Sequence, residues 1–155
     1  MMTAVLIATL IKVESYGKYT NSRFAFRTLY PKSWTKQQPP ENHSGRTWLA
    51  KGFKGRFSVG GSWRMDDNTL TSLYKNDLEN YREQGYKISY TTKKGDWYVI
   101  SGSNKTKQFY RREWVRVHTV KGMTIEYPAS LGKKLDGMVA KLSKGFEIGP
   151  DAEEW

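Results

Sequence analysis

The sequence predicts an α+β protein in which an antiparallel β-sheet of about six to seven strands is flanked by two main α-helices. Most of the chain consists of short segments that are rich in β-branched and aromatic residues and that alternate with a period of two. Two longer segments, 66–85 and 128–146, instead repeat apolar residues at intervals of three and four. Strands, a helix, further strands and a second helix follow one another, an order typical of helices packed on an antiparallel sheet.

The first part of the chain predicts strands separated by loops. A strand over residues 24–30 places its even-numbered side chains on one face, and Pro31 ends it. Residues 33–45 contain consecutive prolines and several turn-forming residues, so we expect a long loop there. A β-hairpin is predicted next, with strands at 46–50 and 56–60.

The first amphipathic helix is predicted within residues 66–85. Its apolar side chains recur at helical spacing and are Leu70, Leu73, Tyr74, Leu78 and Tyr81. Asp66, Asp67 and Asn68 are the N-cap candidates because their side chains can accept hydrogen bonds from free backbone N–H groups. Gly85 suits the position just beyond the end of the helix.

An antiparallel meander is predicted between the two helices. Its strands are rich in β-branched and aromatic residues and are expected at 86–93, 96–101, 107–118 and 121–127. Short breaks that contain glycine or asparagine separate them, as in consecutive hairpins.

The second helix is predicted to begin at Pro128, a residue that fits the first turn of a helix. One face is apolar and carries Leu131, Leu135, Met138, Val139, Leu142 and Phe146. The other faces carry Lys133, Lys134, Lys141 and Lys144. Gly145 and the pair Gly149-Pro150 are expected to end the helix.

The two ends of the chain are set apart from a single domain at 16–150. Residues 3–11 are apolar, and their length matches the core of a secretory signal but is too short to span a bilayer. They lack a basic start and an Ala-x-Ala cleavage site, so residues 1–15 are interpreted either as a truncated signal segment or as a first strand. The first alternative predicts a periplasmic or secreted protein and the second a cytoplasmic one. Residues 151–155 form an acidic tail.

Several short segments, in this order and spacing, resemble small exported bacterial proteins of the PsbP-like kind. The segments are YTNSRFAF at 19–26 leading to YP at 30–31, PENHSGRT at 40–47, WYVISG at 97–102, FYR at 109–111 and IEYP at 125–128. The resemblance covers nearly the whole chain after Tyr16 and implies a PsbP-like sandwich, export, and an accessory or binding role. It carries over no catalytic residue, and the sequence departs from the family in lacking a clear signal peptide.

The composition excludes some chemistry and leaves the partner open. The chain has no cysteine, which rules out disulfides, thiol catalysis and thiolate metal sites. Its two histidines, His43 and His118, are far apart and have no ligand-like spacing, so we expect neither a metal nor a cofactor. The formal charge of +11 attracts anionic partners but also serves solubility alone.

No motif for a catalytic nucleophile or a phosphate loop is present, so the protein is not expected to be an enzyme. The stretches at 60–62 and 101–103 combine glycine and serine but lack the frames that such chemistry uses. Carboxylates such as Asp96, Glu113 and Glu126 could still converge in space. A cleft that gathers two or more carboxylates around a shifted titrating group would support an unrecognised hydrolase.

The strongest binding signal is a set of basic and aromatic residues along one strand and the following helix. The candidates are Lys105, Lys107, Tyr110, Arg112, Trp114 and Arg116 in the strand region, and Lys133, Lys134, Lys141 and Lys144 in the helix. An arginine and aromatic face can hold an anion or stack on a base. Alternatively, Tyr110 and Trp114 belong to the core beneath a helix, and the charged groups reach outwards.

The sequence therefore leads to three hypotheses. The first is a non-catalytic accessory or interaction domain, monomeric and located in the cell envelope, that binds a protein partner. The second is binding of an anionic polymer or surface, such as nucleic acid, anionic lipid or polysaccharide, through the basic candidates. The third is the hydrolase. Cations scattered evenly over the surface would indicate solubility, whereas cations gathered in one region would favour an anionic partner.

Overall fold

The computed structural model describes residues 14–151 and has the predicted α+β architecture. Its elements are β1 (Tyr16–Asn21), β2 (Phe26–Pro31), β3 (Thr35–Lys36), β4 (Gly45–Leu49), β5 (Arg56–Trp63), α1 (Leu70–Glu83), β6 (Lys87–Lys94), β7 (Trp97–Ser103), β8 (Lys107–Val115), β9 (Thr119–Pro128), a 3₁₀ turn (Ala129–Leu131), α2 (Gly132–Lys144) and β10 (Glu147–Ile148). The large sheet has seven strands in the order β3-β4-β5-β9-β8-β7-β6, and a small sheet has the order β1-β2-β10.

Every strand pair in the two sheets is antiparallel, and β6 to β9 form the predicted meander. The strand β9 lies at the centre of the large sheet, between β5 and β8. Because side chains alternate along each strand, the large sheet has two distinct faces. The small sheet and α2 pack on one face, and α1 packs on the other.

The core beneath α2 and the small sheet is largely aromatic. Phe146, just after α2, stacks between Trp114 of β8 and Phe26 of β2, with ring centroids 4.8 Å and 5.2 Å away. A buried lysine strengthens the contact between the sheets, because Lys121 Nζ in β9 donates a hydrogen bond of 2.6 Å to the Phe24 carbonyl. Burial lowers the pKa of this ammonium group.

The core beneath α1 is smaller and contains tyrosine. Tyr98, Ile100 and Phe109 of the large sheet are buried there, and Tyr81 of α1 stacks on Phe109 with its ring centroid 3.7 Å away. The helix covers the side of the sheet that β6, β7 and β8 form. It leaves the α1-facing side of β5 and β9 open.

The predicted N-cap of α1 is wrong, because Thr69 is the N-cap instead of Asp66, Asp67 or Asn68. Thr69 and Ser72 form a capping box, with hydrogen bonds of 3.1 Å and 2.8 Å. The residues before Thr69 form a turn, closed by a hydrogen bond from the Asn68 N–H to the Met65 carbonyl. Gly85 lies beyond the helix with φ +86°, as predicted.

Several predicted boundaries shift for local reasons. The strand predicted to begin at residue 24 begins at Phe26, because Ala25 has φ +52° and interrupts the extended chain. The strand predicted over 107–118 ends at Val115, where Arg116 starts the turn to β9. Pro128 ends β9, and α2 begins only at Gly132, after the 3₁₀ turn.

Three short or weakly alternating strands were not predicted. β3 lies within the expected loop 33–45, and β10 follows the end of α2. β1 forms the edge of the small sheet, where only one of its two sides pairs with a neighbour. Two-residue strands are too short to show a period, so tertiary pairing alone defines β3 and β10.

The two alternatives for residues 1–15 were a truncated signal segment and a first strand. Residues 1–13 of this segment lie outside the described residues. The tail beyond Asp151 is outside them as well. Asp151 itself accepts a 2.7 Å hydrogen bond from the His118 backbone N–H. Within residues 14–151, no helix is long and apolar enough to cross a membrane.

Candidate functional site

The aromatic candidates of β8 face α2 and are packed against it. Trp114 is only 5% exposed and stacks on Phe146. The Tyr110 hydroxyl lies 2.8 Å from the Ser143 hydroxyl of α2, so a hydrogen bond joins the strand to the helix. These two residues therefore contribute to the core beneath α2.

Arg112 lies between two indole rings on the same face of β8. Its guanidinium carbon is 4.5 Å from the Trp97 ring centroid and 4.4 Å from that of Trp114. Its Nη1 donates a hydrogen bond of 3.1 Å to the Ser143 hydroxyl. Arg112 thus joins β7, β8 and α2 through cation–π contacts and a hydrogen bond.

Arg116 and the lysine candidates of this strand lie at opposite ends of the sheet. Arg116 follows β8 and forms an ion pair of 2.8 Å with Asp96. Lys107 begins β8, and Lys105 lies in the turn before it. The basic and aromatic residues of β8 therefore do not form one continuous exposed face.

Exposed cations gather at the end of the large sheet where β5, β6 and β8 begin. We call this region the basic end and define it by Lys54, Arg56, Lys87, Lys105 and Lys107. The strand register brings them together, since β5 and β8 both pair with the last residues of β9, and β6 pairs with the end of β7. Within residues 14–151, none of these cations forms an ion pair.

An apolar well opens within the basic end. Its volume is about 440 Å³, and its charged lining residues are Lys54, Arg56, Lys107 and Glu126. Leu49, Ala50 and Phe53 supply the apolar lining. Leu49, the last residue of β4, is 40% exposed. The well therefore has an apolar lining, and three cations and one carboxylate lie around it.

The four lysine candidates of α2 are all exposed and extend this cationic surface along the helix. Lys133 and Lys134 lie in the first turn of α2, next to the basic end, because the Ala129 N–H donates to the Thr106 carbonyl. Lys141 and Lys144 lie in the last turn, and Lys141 Nζ is 5.8 Å from the Tyr16 ring centroid.

The opposite end of the large sheet carries both signs of charge. Asp66 and Asp67 follow β5, Asp96 pairs with Arg116, and Asp151 is bound next to β9. Although burial opposes it, hydrogen bonds from Thr119 and the His118 backbone lower the pKa of Asp151. Arg64, Lys93 and Lys94 also lie at this end, so the two ends differ in their acidic residues rather than in cations alone.

A cleft of about 580 Å³ lies where α1 leaves β5 and β9 uncovered. Gly60 and Gly122 are paired across β5 and β9 and form its floor without side chains. Met65 and Leu73 lie on the α1 side of the opening. Trp63 borders the cleft at the end of β5, but its ring packs edge-on against Phe24 on the other face of the sheet.

A buried ionic network forms the back of this cleft, centred on Arg111 of β8. Arg111 Nε donates to Asp77 Oδ2 of α1 at 2.7 Å, and Nη2 forms an ion pair with Glu113 Oε1, also at 2.7 Å. Nη1 donates to the Thr124 hydroxyl at 2.8 Å, and the Tyr98 hydroxyl donates to Asp77 at 2.5 Å. Each nitrogen of the guanidinium thus has a partner in the protein.

Burial dominates the titration of the network. Glu113 is only 8% exposed, and burial raises the pKa of its carboxyl although Arg111 opposes the shift. Burial also raises the pKa of the Tyr98 hydroxyl, and the nearby carboxylates act in the same direction. Burial disfavours the charged form of Arg111, but Glu113 and Asp77 outweigh it and raise its pKa.

This network is the feature that the sequence interpretation missed. Alternation does place Arg111 and Glu113 on one face of β8, but Asp77 comes from α1, and sequence spacing does not relate the two elements. A charged pair beside the apolar Phe109 on the same face is the signal that points to a buried network. His43 and His118 lie apart, and no metal-ligand cluster occurs among residues 14–151.

The fold resembles two solved structures at low sequence identity. The cyanobacterial PsbP protein CyanoP from Synechocystis has a TM-score of 0.66 at 14% identity, over 90% of this chain and 95% of that one. A crystal structure from Bacteroides thetaiotaomicron has a TM-score of 0.53, also at 14% identity, over 89% of this chain and 50% of the other. No family model and no curated protein matches the sequence. The fold is therefore PsbP-like, as the resemblance of the sequence implies.

Proposed function

We propose that this protein is a non-catalytic accessory domain of the cell envelope that binds an acidic segment of a protein partner at its basic end. The observation that carries this proposal is the apolar well of the basic end, where three cations, Lys54, Arg56 and Lys107, outnumber the single carboxylate of Glu126. The cations there attract acidic side chains, and the well can hold an apolar side chain of the same partner.

The combination of charge and apolar surface favours a protein over a polymer with a charged backbone. A phosphate or sulfate backbone would contact the cations and leave the well unfilled. A peptide with acidic residues around one leucine or phenylalanine would fill the well and neutralise the surrounding charges. Interfaces bind most strongly where an apolar group is buried at the centre and charged groups surround it.

The proposal is tested with a peptide library that varies the positions of acidic and apolar residues. We expect selected peptides to combine both kinds and to lose at least about tenfold in affinity when Lys54, Arg56 and Lys107 are replaced by glutamate. The matched control replaces Lys75, Lys93 and Lys94, which are exposed elsewhere. It changes the net charge equally and should keep the affinity.

Equal losses of peptide affinity in the basic-end variant and in the control variant would contradict the proposal, because net charge alone would then explain binding. Selection of acidic peptides without an apolar residue would remove the role of the well. The location in the cell envelope rests on the resemblance of the sequence to exported proteins, and fractionation of cells that express the full chain tests it. Recovery in the cytoplasm alone would contradict it.

A second candidate function is binding of an anionic polymer or surface, and the exposed lysines of α2 favour it. Lys133 and Lys134 continue the basic end, so one cationic surface runs from the sheet onto the helix. Binding of duplex DNA, or of vesicles that contain phosphatidylglycerol, would then weaken steeply with salt. Absence of binding to both probes at low salt would exclude this candidate.

The hydrolase alternative is supported by the cleft beside α1, which is lined by Asp77, Arg111 and Glu113. The pKa of the Glu113 carboxyl is also raised there. General acid–base catalysis needs carboxyl groups that can exchange protons with a substrate. Both carboxyl groups instead bind the same guanidinium, and Asp77 also accepts a hydrogen bond from Tyr98. These contacts hold both carboxyl groups within the network, so the hydrolase is not the function proposed here.

A further inference from the structure

The acidic tail at residues 151–155 combines negative charge with a large apolar ring. Its sequence is DAEEW, so Asp151, Glu153 and Glu154 precede Trp155. An acidic segment with one apolar side chain is the kind of ligand proposed above for the basic end. The chain therefore carries such a segment itself.

Asp151 fixes the point from which this tail leaves the described structure. Its carboxylate accepts hydrogen bonds from the His118 backbone N–H at 2.7 Å and from the Thr119 hydroxyl at 2.5 Å. Thr119 is the first residue of β9. The tail therefore starts at the end of the large sheet opposite the basic end.

The tail of one molecule is too short to reach the well of the same molecule. The well is lined by Glu126 and Tyr127, near the other end of β9. Tyr127 is eight residues beyond Thr119 in an extended strand, a distance of roughly 27 Å. Trp155 is four residues beyond Asp151, and even a fully extended chain covers only about 14 Å over that length. The tail can therefore bring Trp155 into the well of another molecule but not into its own.

The well offers groups that match this segment. Leu49 and Phe53 supply apolar surface on which an indole ring can pack, and cations beside the ring add cation–π attraction. Three cations face the single carboxylate of Glu126, so positive charge remains available for Glu153 and Glu154. Among residues 14–151, none of these three cations forms an ion pair.

Two exposed apolar side chains lie next to the start of the tail. Met65 is 65% exposed, and Val117 is 68% exposed. Both are close to His118, because Arg64 donates from its backbone N–H to the His118 carbonyl and from Nε to the Val117 carbonyl. A second protein surface that binds the tail would cover this apolar area as well.

We propose that the protein associates with itself head to tail, with the acidic tail of one copy bound in the apolar well of the next. Trp155 fills the well, and Glu153 and Glu154 lie against its cations. The two contacting surfaces differ, so the contact does not close in a dimer and each copy can bind a further one. The monomer that the sequence predicts would then be the form at low concentration. Self-association rests on the function proposed above, since a second copy is then the partner that supplies the acidic segment.

Sedimentation velocity of the full chain tests the association at concentrations from about 10 μM to about 1 mM, in about 50 mM salt. We expect the mean mass to rise with concentration beyond that of a dimer. Trp155→Ala should weaken the association at least about tenfold, and so should the basic-end variant with glutamate at Lys54, Arg56 and Lys107. The matched control for the lost ring is Tyr90→Ala, which removes an exposed aromatic side chain from β6 and should leave the association unchanged.

Mixing two defective variants locates the contact. Trp155→Ala keeps an intact well, and the basic-end variant keeps an intact tail, so the mixture can form one contact between them and no more. At a concentration at which the wild type associates, we expect each variant alone to be monomeric and the equimolar mixture to form dimers. Glu153→Gln combined with Glu154→Gln is a second tail variant and should behave like Trp155→Ala.

Self-association is overturned if the wild type stays monomeric up to about 1 mM, if both tail variants associate as the wild type does, or if the mixture stays monomeric. Peptide selection separates this result from the function proposed above. Library peptides that bind the basic end of a monomeric wild type would leave the proposed function standing without self-association. Dimers in the mixture, with no peptide selected at the basic end, would support self-association and remove the proposed binding of another protein.

Discussion

Arg111 and Arg112 are neighbours on β8, and the sheet separates their environments. Arg111 faces α1 and is bound by the carboxylates of Asp77 and Glu113. Arg112 faces α2 and lies between the indole rings of Trp97 and Trp114. Each guanidinium is held beneath a helix, one by opposite charge and the other by aromatic faces.

The difference shows what each face depends on. Removing Arg111 would leave two carboxyl groups of low exposure without their cation. The loss of folding free energy would then be larger than for an exposed ion pair, because the remaining charges are poorly solvated. Removing Arg112 would take away contacts with two rings and Ser143 but would leave no buried charge behind. The face beneath α1 is therefore sensitive to charge balance, and the face beneath α2 to shape and packing.

The largest effect is expected from Arg111→Met. This change should lower the free energy of unfolding by about 3–5 kcal/mol, because Asp77 and Glu113 then repel each other within the protein. Urea denaturation at neutral pH measures the loss. The double variant Arg111→Met with Glu113→Gln should recover part of it, and a double variant less stable than Arg111→Met alone would contradict the charge-balance account.

Arg112→Ala should cost less, about 1–3 kcal/mol, since it removes cation–π contacts and one hydrogen bond. Lysine substitutions distinguish the two arginines further. Arg111→Lys keeps a cation between the carboxylates and should retain part of the stability, whereas Arg112→Lys loses the planar group that stacks on both rings. The same denaturation measurements apply. If Arg112→Lys kept more of the wild-type stability than Arg111→Lys, the proposed contrast between the two arginines would be wrong.

The sequence predicts the environment of Arg112 better than that of Arg111. Alternation places Tyr110, Arg112 and Trp114 on one face of β8, and the apolar stripe of the second helix supplies the layer that covers them. The interpretation of Tyr110 and Trp114 as core residues follows from these two local patterns. Both patterns are properties of single elements, which is why sequence periodicity contains them.

The network around Arg111 depends on how elements meet, which periodicity does not describe. Asp77 reaches Arg111 only because α1 packs over β7 and β8, and the open floor exists because that helix leaves β5 and β9 uncovered. The basic end likewise depends on the register that brings β5 and β8 beside the end of β9. Boundaries such as Thr69 and Ala25 are set by side-chain capping and by a single backbone angle.

Titration of Glu113 sharpens the contrast, because among residues 14–151 no carboxyl group forms an ion pair with Arg112. Burial raises the pKa of Glu113 in the folded protein above its ordinary value. A raised pKa means that the folded state binds the proton more tightly, so this stabilisation is present at low pH and is lost as pH rises through the folded pKa. We expect the stability of the wild type relative to Glu113→Gln to fall with rising pH above about 4.5. A difference that does not change with pH would contradict this prediction.

Arg116 lies four residues after Arg112, just beyond the end of β8. Its replacement should have the smallest effect on stability and serves as a reference for Arg111 and Arg112. Arg116 forms an ion pair with Asp96 at 2.8 Å, but the two side chains are 33% and 40% exposed. Solvent screens such a pair, so Arg116→Ala should cost only about 0.2–1 kcal/mol. The cost should shrink further in about 1 M salt, whereas the cost of Arg111→Met should persist because its partners are buried. A loss for Arg116→Ala as large as that for Arg111→Met would show that position along β8, rather than burial of the partner carboxylates, determines what these arginines contribute.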